Sequence, residues 1–172
     1  MSQLTFITGG ARSGKSRLAE ELALKQGEPL LYIATAVCGD SEMTARIARH
    51  QARRGGAWQT IEEQYDLAGV LAGHDGWFKA MLVDCVTLWL TNLLLKYDDR
   101  EAVLTEVKRT AAIFPALKSP VILVSNEVGM GIVPDNPLAR KFCDLSGEAN
   151  EILAAVTDEV YVTFSGLPLK LK

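Results

Sequence analysis

Short apolar runs alternate along this chain with stretches in which apolar residues recur every three or four positions. The short runs mix aliphatic with β-branched or aromatic side chains and read as buried strands. They are Leu4-Thr5-Phe6-Ile7-Thr8, Leu30-Leu31-Tyr32-Ile33-Ala34, Met81-Leu82-Val83 ending at Asp84, Pro120-Val121-Ile122-Leu123-Val124 and Val160-Tyr161-Val162-Thr163-Phe164. The longer period predicts helices over 17–26, 41–54, 87–95, 102–117 and 138–156. In the first of these Leu18 and Leu22 stand one turn apart, and Gly27 is placed to end it. Gly69, Gly73 and Gly76 blur the period over 65–77, so no helix is assigned there. Ser165-Gly166-Leu167-Pro168 reads as a turn, and 169–171 as a small antiparallel edge strand. Strands and helices in this alternation build an α/β fold around a mainly parallel sheet.

No repeat, low-complexity tract or linker divides the 172 residues, which are expected to form one domain with a full core. At 48% apolar and 23% charged the composition is that of an ordinary globular protein. A net charge of −3 gives no overall basic field, so nucleic acid is not an expected partner and any positive site is local. The longest apolar stretch, from Val86 to Leu95, is broken by Thr87, Thr91 and Asn92 and is too short to span a membrane. Met1-Ser2-Gln3 leads straight into the first strand without room for a signal peptide, and Cys38, Cys85 and Cys143 fit neither a disulfide framework nor a zinc site. The expected compartment is the cytoplasm.

Candidate chemistry begins between the first strand and the first helix. Gly9-Gly10-Ala11-Arg12-Ser13-Gly14-Lys15-Ser16 fits the phosphate-loop pattern G-x-x-x-x-G-K-[ST] in the strand–turn–helix setting it requires. Backbone N–H groups of the turn and the positive end of the helix dipole cradle a polyphosphate there. Lys15, standing at a solvated site, reaches the outer phosphates, and the Ser16 hydroxyl binds Mg²⁺. The chain is therefore expected to bind a nucleotide. Ligands of parallel sheets lie outside the carboxyl ends of the strands. That rule gathers the phosphate loop, Ala34-Thr35-Ala36, Asp84 and Asn126-Glu127 onto one rim. Asp84 is placed to hold Mg²⁺ through water, while a helix-capping role is compatible with the same position.

Two further segments stand out. The helix over 41–54 carries Arg46, Arg49, Arg53 and Arg54 around His50, with Arg46, His50 and Arg53 along one face. Such a cluster suits phosphate oxygens, and neighbouring cations favour the neutral imidazole that can attack phosphorus. On composition alone it reads first as a solvated basic face with an incidental His. Residues 126–137, Asn-Glu-Val-Gly-Met-Gly-Ile-Val-Pro-Asp-Asn-Pro, set apolar side chains among glycines and prolines at the ligand rim. They form either a lid or substrate-receiving loop, or a compact loop folded back onto the core.

Taken together the chain resembles the bifunctional adenosylcobinamide kinase / adenosylcobinamide-phosphate guanylyltransferase family of cobalamin biosynthesis, nearly end to end. The resemblance rests on the phosphate loop with Thr8 before it, Tyr32-Ile33-Ala34-Thr35-Ala36, and Asp40-x-Glu42-Met43-x-x-Arg46-Ile47-x-x-His50. It continues through Trp58-x-Thr60-Ile61-Glu62-Glu63, Asp84-Cys85-x-Thr87-x-Trp89-x-x-Asn92-Leu93-Leu94 and Asn126-Glu127-Val128-Gly129-x-Gly131-Ile132-Val133-Pro134. The ending Asp158-Glu159-Val160 … Ser165-Gly166-Leu167-Pro168-x-x-Leu171-Lys172 fits as well.

The resemblance implies a three-layer P-loop NTPase with a RecA-like sheet, and a homo-oligomer for which a trimer is the expected form. It implies phosphorylation of adenosylcobinamide by ATP or GTP. Transfer of GMP from GTP to adenosylcobinamide phosphate follows, through a guanylyl-histidine that falls on His50. The GTP site it implies comprises Gly9, Gly10, Ala11, Arg12, Ser13, Gly14, Lys15, Ser16, Ala34, Thr35, Ala36, Gln51, Ala52, Arg53, Arg54, Glu62 and Asp84, with Mg²⁺ at Ser16 and Asp84. Gln51, Gly55 and Glu151 depart from the residues common in the family, which leaves the contact at position 51 open. Apart from the resemblance, the residues also admit a kinase for another small alcohol, or a GTP-sensing module without catalysis.

Overall fold

The computed structural model describes residues 3–36 and 55–172. Seven strands form one sheet among the described residues: β1 (Leu4–Gly9), β2 (Leu30–Ala34), β3 (Trp58–Glu62), β4 (Ala80–Asp84), β5 (Val121–Val124), β6 (Glu159–Phe164) and β7 (Leu167–Lys170). Their order is β3-β2-β4-β5-β1-β6-β7, parallel throughout except for the β6–β7 hairpin. The helices are α1 (Lys15–Leu24), α2 (Leu67–Gly73), α3 (Val86–Tyr97), α4 (Arg100–Ile113) and α5 (Pro137–Val156).

Side chains of a strand alternate between its two faces, and both faces of this sheet are covered. Phe6, Leu31, Ile33, Met81, Val83, Val121 and Leu123 pack with Leu71 of α2, Trp89 and Leu93 of α3, Val107 of α4, and Leu145, Ala149 and Leu153 of α5. The intervening residues Ile7, Leu30, Tyr32, Leu82, Ile122 and Val124 pack with Ala19 and Ala23 of α1. Helices on both faces make the three-layer α/β architecture anticipated above. The small alanines let α1 lie close over β4 and β5, which brings its N-terminus to the rim of the sheet.

Four elements depart from the sequence expectation. Strand β3 was not anticipated: at the sheet's edge it alternates only weakly, with Gln59, Thr60 and Glu62 exposed. Helix α2 forms despite its glycines, because Leu67, Ala68 and Leu71 are buried and the Asp66 carboxylate accepts from Gly69 N at its start. The C-terminal turn is two residues long, Ser165 and Gly166, both with positive φ (50° and 83°), so β7 starts at Leu167 rather than 169. The helix expected over 102–117 runs instead from Arg100 to Ile113 and tightens into a 3-10 turn, Phe114–Ala116, at Pro115.

Candidate functional site at the carboxyl rim of the sheet

Strand register places the rim residues in a row. Ala34 pairs with Glu62 on one side and with Asp84 on the other, and Asp84 pairs with Val124. Val124 pairs with Ile7, two residues before Gly9. The phosphate loop, Ala34, Asp84 and the residues after Val124 therefore share one edge, as anticipated, and Glu62 at the end of β3 joins them.

The loop leaves β1 at Gly9 (φ 145°) and enters α1 at Gly14 (φ 103°), with Arg12 between them in the left-handed region (φ 57°). Glycine permits the first two conformations without strain. Ser13 N donates to Gly10 O at 3.3 Å, closing the turn. No side-chain cap bonds the start of α1 and no acidic residue lies in its first turn, so its N–H groups face the rim as anion donors.

Lys15 departs from the solvated placement expected of it. It is 7% exposed, and its Nζ donates to Gly10 O at 2.6 Å. The cation is drawn back across its own loop. Ser16 follows on the first turn of α1, partly exposed.

Asp84 ends β4, and its Oδ2 accepts from the phenol of Tyr32 at 3.0 Å. Tyr32 is buried in β2 below the rim, so the hydroxyl fixes the carboxylate from beneath. In the sequence Tyr32 stands only as one residue of a strand motif, with nothing to assign it this contact. Cys85, next in the chain, has its thiol pushed up to about 12, first by burial and then by the Asp84 charge, so it stays a protonated, inert thiol.

Thr35, expected among the nucleotide contacts, is 0% exposed. Its hydroxyl donates to Cys85 O at 2.7 Å and accepts from Cys85 N at 2.8 Å. Asn92 of α3 donates to Thr35 O at 2.8 Å. The side chain is thus committed to tying the end of β2 to the end of β4, and only the flanking Ala34 and Ala36 are partly exposed.

The segment after β5 is anchored at its start: Asn126 N donates to Thr87 Oγ1 at 2.7 Å, and Glu127 N to Gly9 O at 3.0 Å. Ser125 Oγ donates to Asn150 Oδ1 of α5 at 2.7 Å. Beyond it the apolar residues do not fold back onto the core; Ile132 is 98% exposed, and Met130 and Val133 are exposed as well. Of the two readings of this loop, the compact one fails. His50, Gln51, Ala52, Arg53 and Arg54, with Arg46 and Arg49, lie outside the described residues.

A phosphate-loop sequence at a helix N-terminus, a carboxylate two strands away and a second carboxylate at the sheet edge stand on one rim, an arrangement that can receive a polyphosphate. Ser16 and Asp84 offer the hard oxygen donors that Mg²⁺ takes. Among the described residues, no helix is long and apolar enough to cross a membrane.

Residues 5–171 match the family model described as cobinamide kinase / cobinamide phosphate guanyltransferase. The chain is 47% identical to the bifunctional adenosylcobalamin biosynthesis protein CobP of Pseudomonas aeruginosa, covering 97% of this chain and 96% of that protein. To the bifunctional adenosylcobalamin biosynthesis protein CobU of Escherichia coli it is 39% identical, covering 98% and 99%. Among solved structures the RadB recombinase aligns with a TM-score of 0.55 at 15% identity, covering 93% of this chain and 73% of that one. The P4 protein of bacteriophage phi6 in complex with ADP aligns with a TM-score of 0.55 at 18% identity, and the chain spans 54% of its length. The structural likenesses carry the fold alone, a three-layer α/β architecture around a mainly parallel sheet.

Proposed function

The chain belongs to the cobinamide kinase / cobinamide phosphate guanyltransferase family, and we propose on that premise that it performs both reactions as a single nucleotide-binding unit. It phosphorylates the hydroxyl of the aminopropanol arm of adenosylcobinamide with ATP or GTP. It then transfers GMP from GTP to the product, giving adenosylcobinamide-GDP. The observation that carries this reading is the near-complete match in both directions with a bifunctional relative, 97% of one chain against 96% of the other.

The residues divide the work. Loop amides between Gly10 and Lys15 other than that of Ser13 hold the phosphates, and Lys15 exchanges its bond to Gly10 O for the outer phosphate oxygens. Ser16 and Asp84 would hold Mg²⁺, which neutralises charge on the phosphates and aligns them for displacement. The Tyr32 hydroxyl keeps the Asp84 carboxylate oriented. In the first reaction the acceptor hydroxyl attacks the γ-phosphorus and the nucleoside diphosphate leaves.

In the second, an imidazole nitrogen of His50 attacks the α-phosphorus of GTP, and the bond to the leaving pyrophosphate breaks. A phosphate oxygen of adenosylcobinamide phosphate then displaces the imidazole. Splitting the transfer in two frees GTP and the corrinoid from having to react while both are bound. Arg53 and Arg54 with Gln51 and Ala52, and Glu62 at the end of β3, complete the nucleotide site in this reading. The working form is a homo-oligomer, a trimer, in the cytoplasm.

The test is incubation with α-labelled GTP followed by mapping of the label. A label that is acid-labile, alkali-stable and carried by His50 is expected. His50→Ala is expected to lose it while still forming adenosylcobinamide phosphate. Label on another residue, or label surviving in His50→Ala, removes His50 from the mechanism.

A further inference from the structure

The hairpin that ends the chain is built against the phosphate loop. Thr163, on β6, is buried, and its Oγ1 stands 2.6 Å from the Oγ of Ser13, a hydrogen bond between two buried hydroxyls. Gly166, in the hairpin turn, donates its N–H to Ser13 O at 2.9 Å. Arg17, on the first helical turn after the loop, returns the contact by donating from Nη2 to Gly166 O at 3.0 Å. All of Ser13's polar groups are thereby engaged, its N–H by Gly10 O inside the loop and the other two by the hairpin.

Two glycines of the loop are fitted to the same neighbour. A Cβ added to Gly9 would lie 2.6 Å from Thr163 O and 2.7 Å from Thr163 Oγ1. A Cβ on Gly14 would lie 3.1 Å from Gly166 Cα. Their lack of side chains therefore serves the approach of the hairpin as well as the turn itself. A glycine-rich loop left to itself samples many shapes, and ordering it would be charged against nucleotide binding. The hairpin orders it beforehand.

We propose that Thr163 is a positioning residue for nucleotide binding, holding the phosphate loop in its binding shape through Ser13, with the Ser165–Gly166 turn as its second point of support. The proposal rests on the phosphate-loop reading. It adds that the loop's geometry is set from the far end of the chain. Because the loop meets phosphates rather than a base, the effect falls alike on GTP and ATP.

Thr163→Val keeps the shape of the side chain and leaves Ser13 Oγ buried without its partner. The expected result is a loss of about tenfold in affinity for both GTP and ATP by equilibrium titration, the worth of one such bond. KM for the nucleotide rises by a similar factor in both reactions, kcat at saturation changes less than KM, and Thr163→Ser restores the affinity. A folded Thr163→Val protein that binds GTP as the wild type does overturns the proposal, as does a Thr163→Ser protein no better than Thr163→Val. Should Thr163→Val fail to fold, Ser13→Ala removes the same bond without leaving a buried hydroxyl in the loop; unchanged GTP and ATP affinity in that variant also overturns it. A wild-type protein that binds no nucleotide would instead sink the phosphate-loop reading on which the proposal stands.

Discussion

Thr35→Val tests whether the residue between the two partly exposed alanines of the rim serves the nucleotide or the sheet. Valine has nearly the shape of threonine but no hydroxyl, so Cys85 O loses its donor and Cys85 N its acceptor, at 2.7 and 2.8 Å respectively. Both groups are in a place that solvent does not reach, since Thr35 is 0% exposed and Cys85 is buried. A buried backbone group left unsatisfied costs about 1–3 kcal/mol, so two orphaned together cost about 2–4 kcal/mol after some relaxation. With a urea dependence of about 2 kcal/mol/M, the unfolding midpoint falls by about 1–2 M. Thr35→Ser keeps the hydroxyl and forfeits only a methyl, about 1 kcal/mol. Urea unfolding followed by circular dichroism reads the stability, and GTP titration below the transition reads the site. The structure requires a large loss of stability in the valine variant with GTP affinity close to that of wild type. A valine variant of unchanged midpoint but much weaker GTP binding would refute this, and return Thr35 to the nucleotide contacts.

Lys15→Ala is expected to remove at least about 100-fold of the phosphate-transfer rate, about 2.7 kcal/mol of lost transition-state stabilisation, because it is the buried cation of the loop while Arg12 is exposed; near-normal turnover in the folded variant would overturn the assignment. Tyr32→Phe takes one donor from Asp84 and should raise the Mg²⁺ concentration needed for half-maximal kinase rate severalfold, while nucleotide binding without metal is little changed; an unmoved Mg²⁺ midpoint would show the phenol to be idle. Glu159, whose carboxyl is held below the ordinary range chiefly by the hydrogen bond from Lys170 and also by Tyr161, ties β6 to β7. Its contribution is present above the ordinary carboxyl value of 4.5 and is lost as pH falls through the lowered folded value. The stability gap between wild type and Glu159→Gln should therefore close in acid, and a gap that is constant with pH would exclude the pair as its source.

Much of the sheet was legible because its central strands are buried on both faces and read as unbroken apolar runs, such as Leu30 to Ile33 and Met81 to Val83. Edge strand β3 escaped because neither of its faces is fully covered: Trp58 and Ile61 are half-buried against opposite layers while Gln59 and Thr60 are left to water, and pattern without burial carries little signal. The phosphate loop was legible for a local reason: its glycines and lysine act at fixed spacing along the chain. Tyr32 and Thr163 were not, because each acts on a partner brought near only by the fold, across 52 and 150 positions. The solvated setting expected of Lys15 was wrong, for the side chain is buried. A spacing pattern identifies the lysine but says nothing of the carbonyl of Gly10 that draws it inward.

The separation of 150 positions between Ser13 and Thr163 also sets the order in which the protein can be finished. Contacts between distant parts of a chain require closure of a long loop before they return any energy, and they form late. During synthesis β1 and its glycine-rich turn emerge before their neighbours β5 and β6, which lie beyond Pro120 and Asp158. A nascent chain stopped at Val156 would hold every residue of the phosphate loop and none of the hairpin that braces it. The loop is made well before the hairpin that completes it.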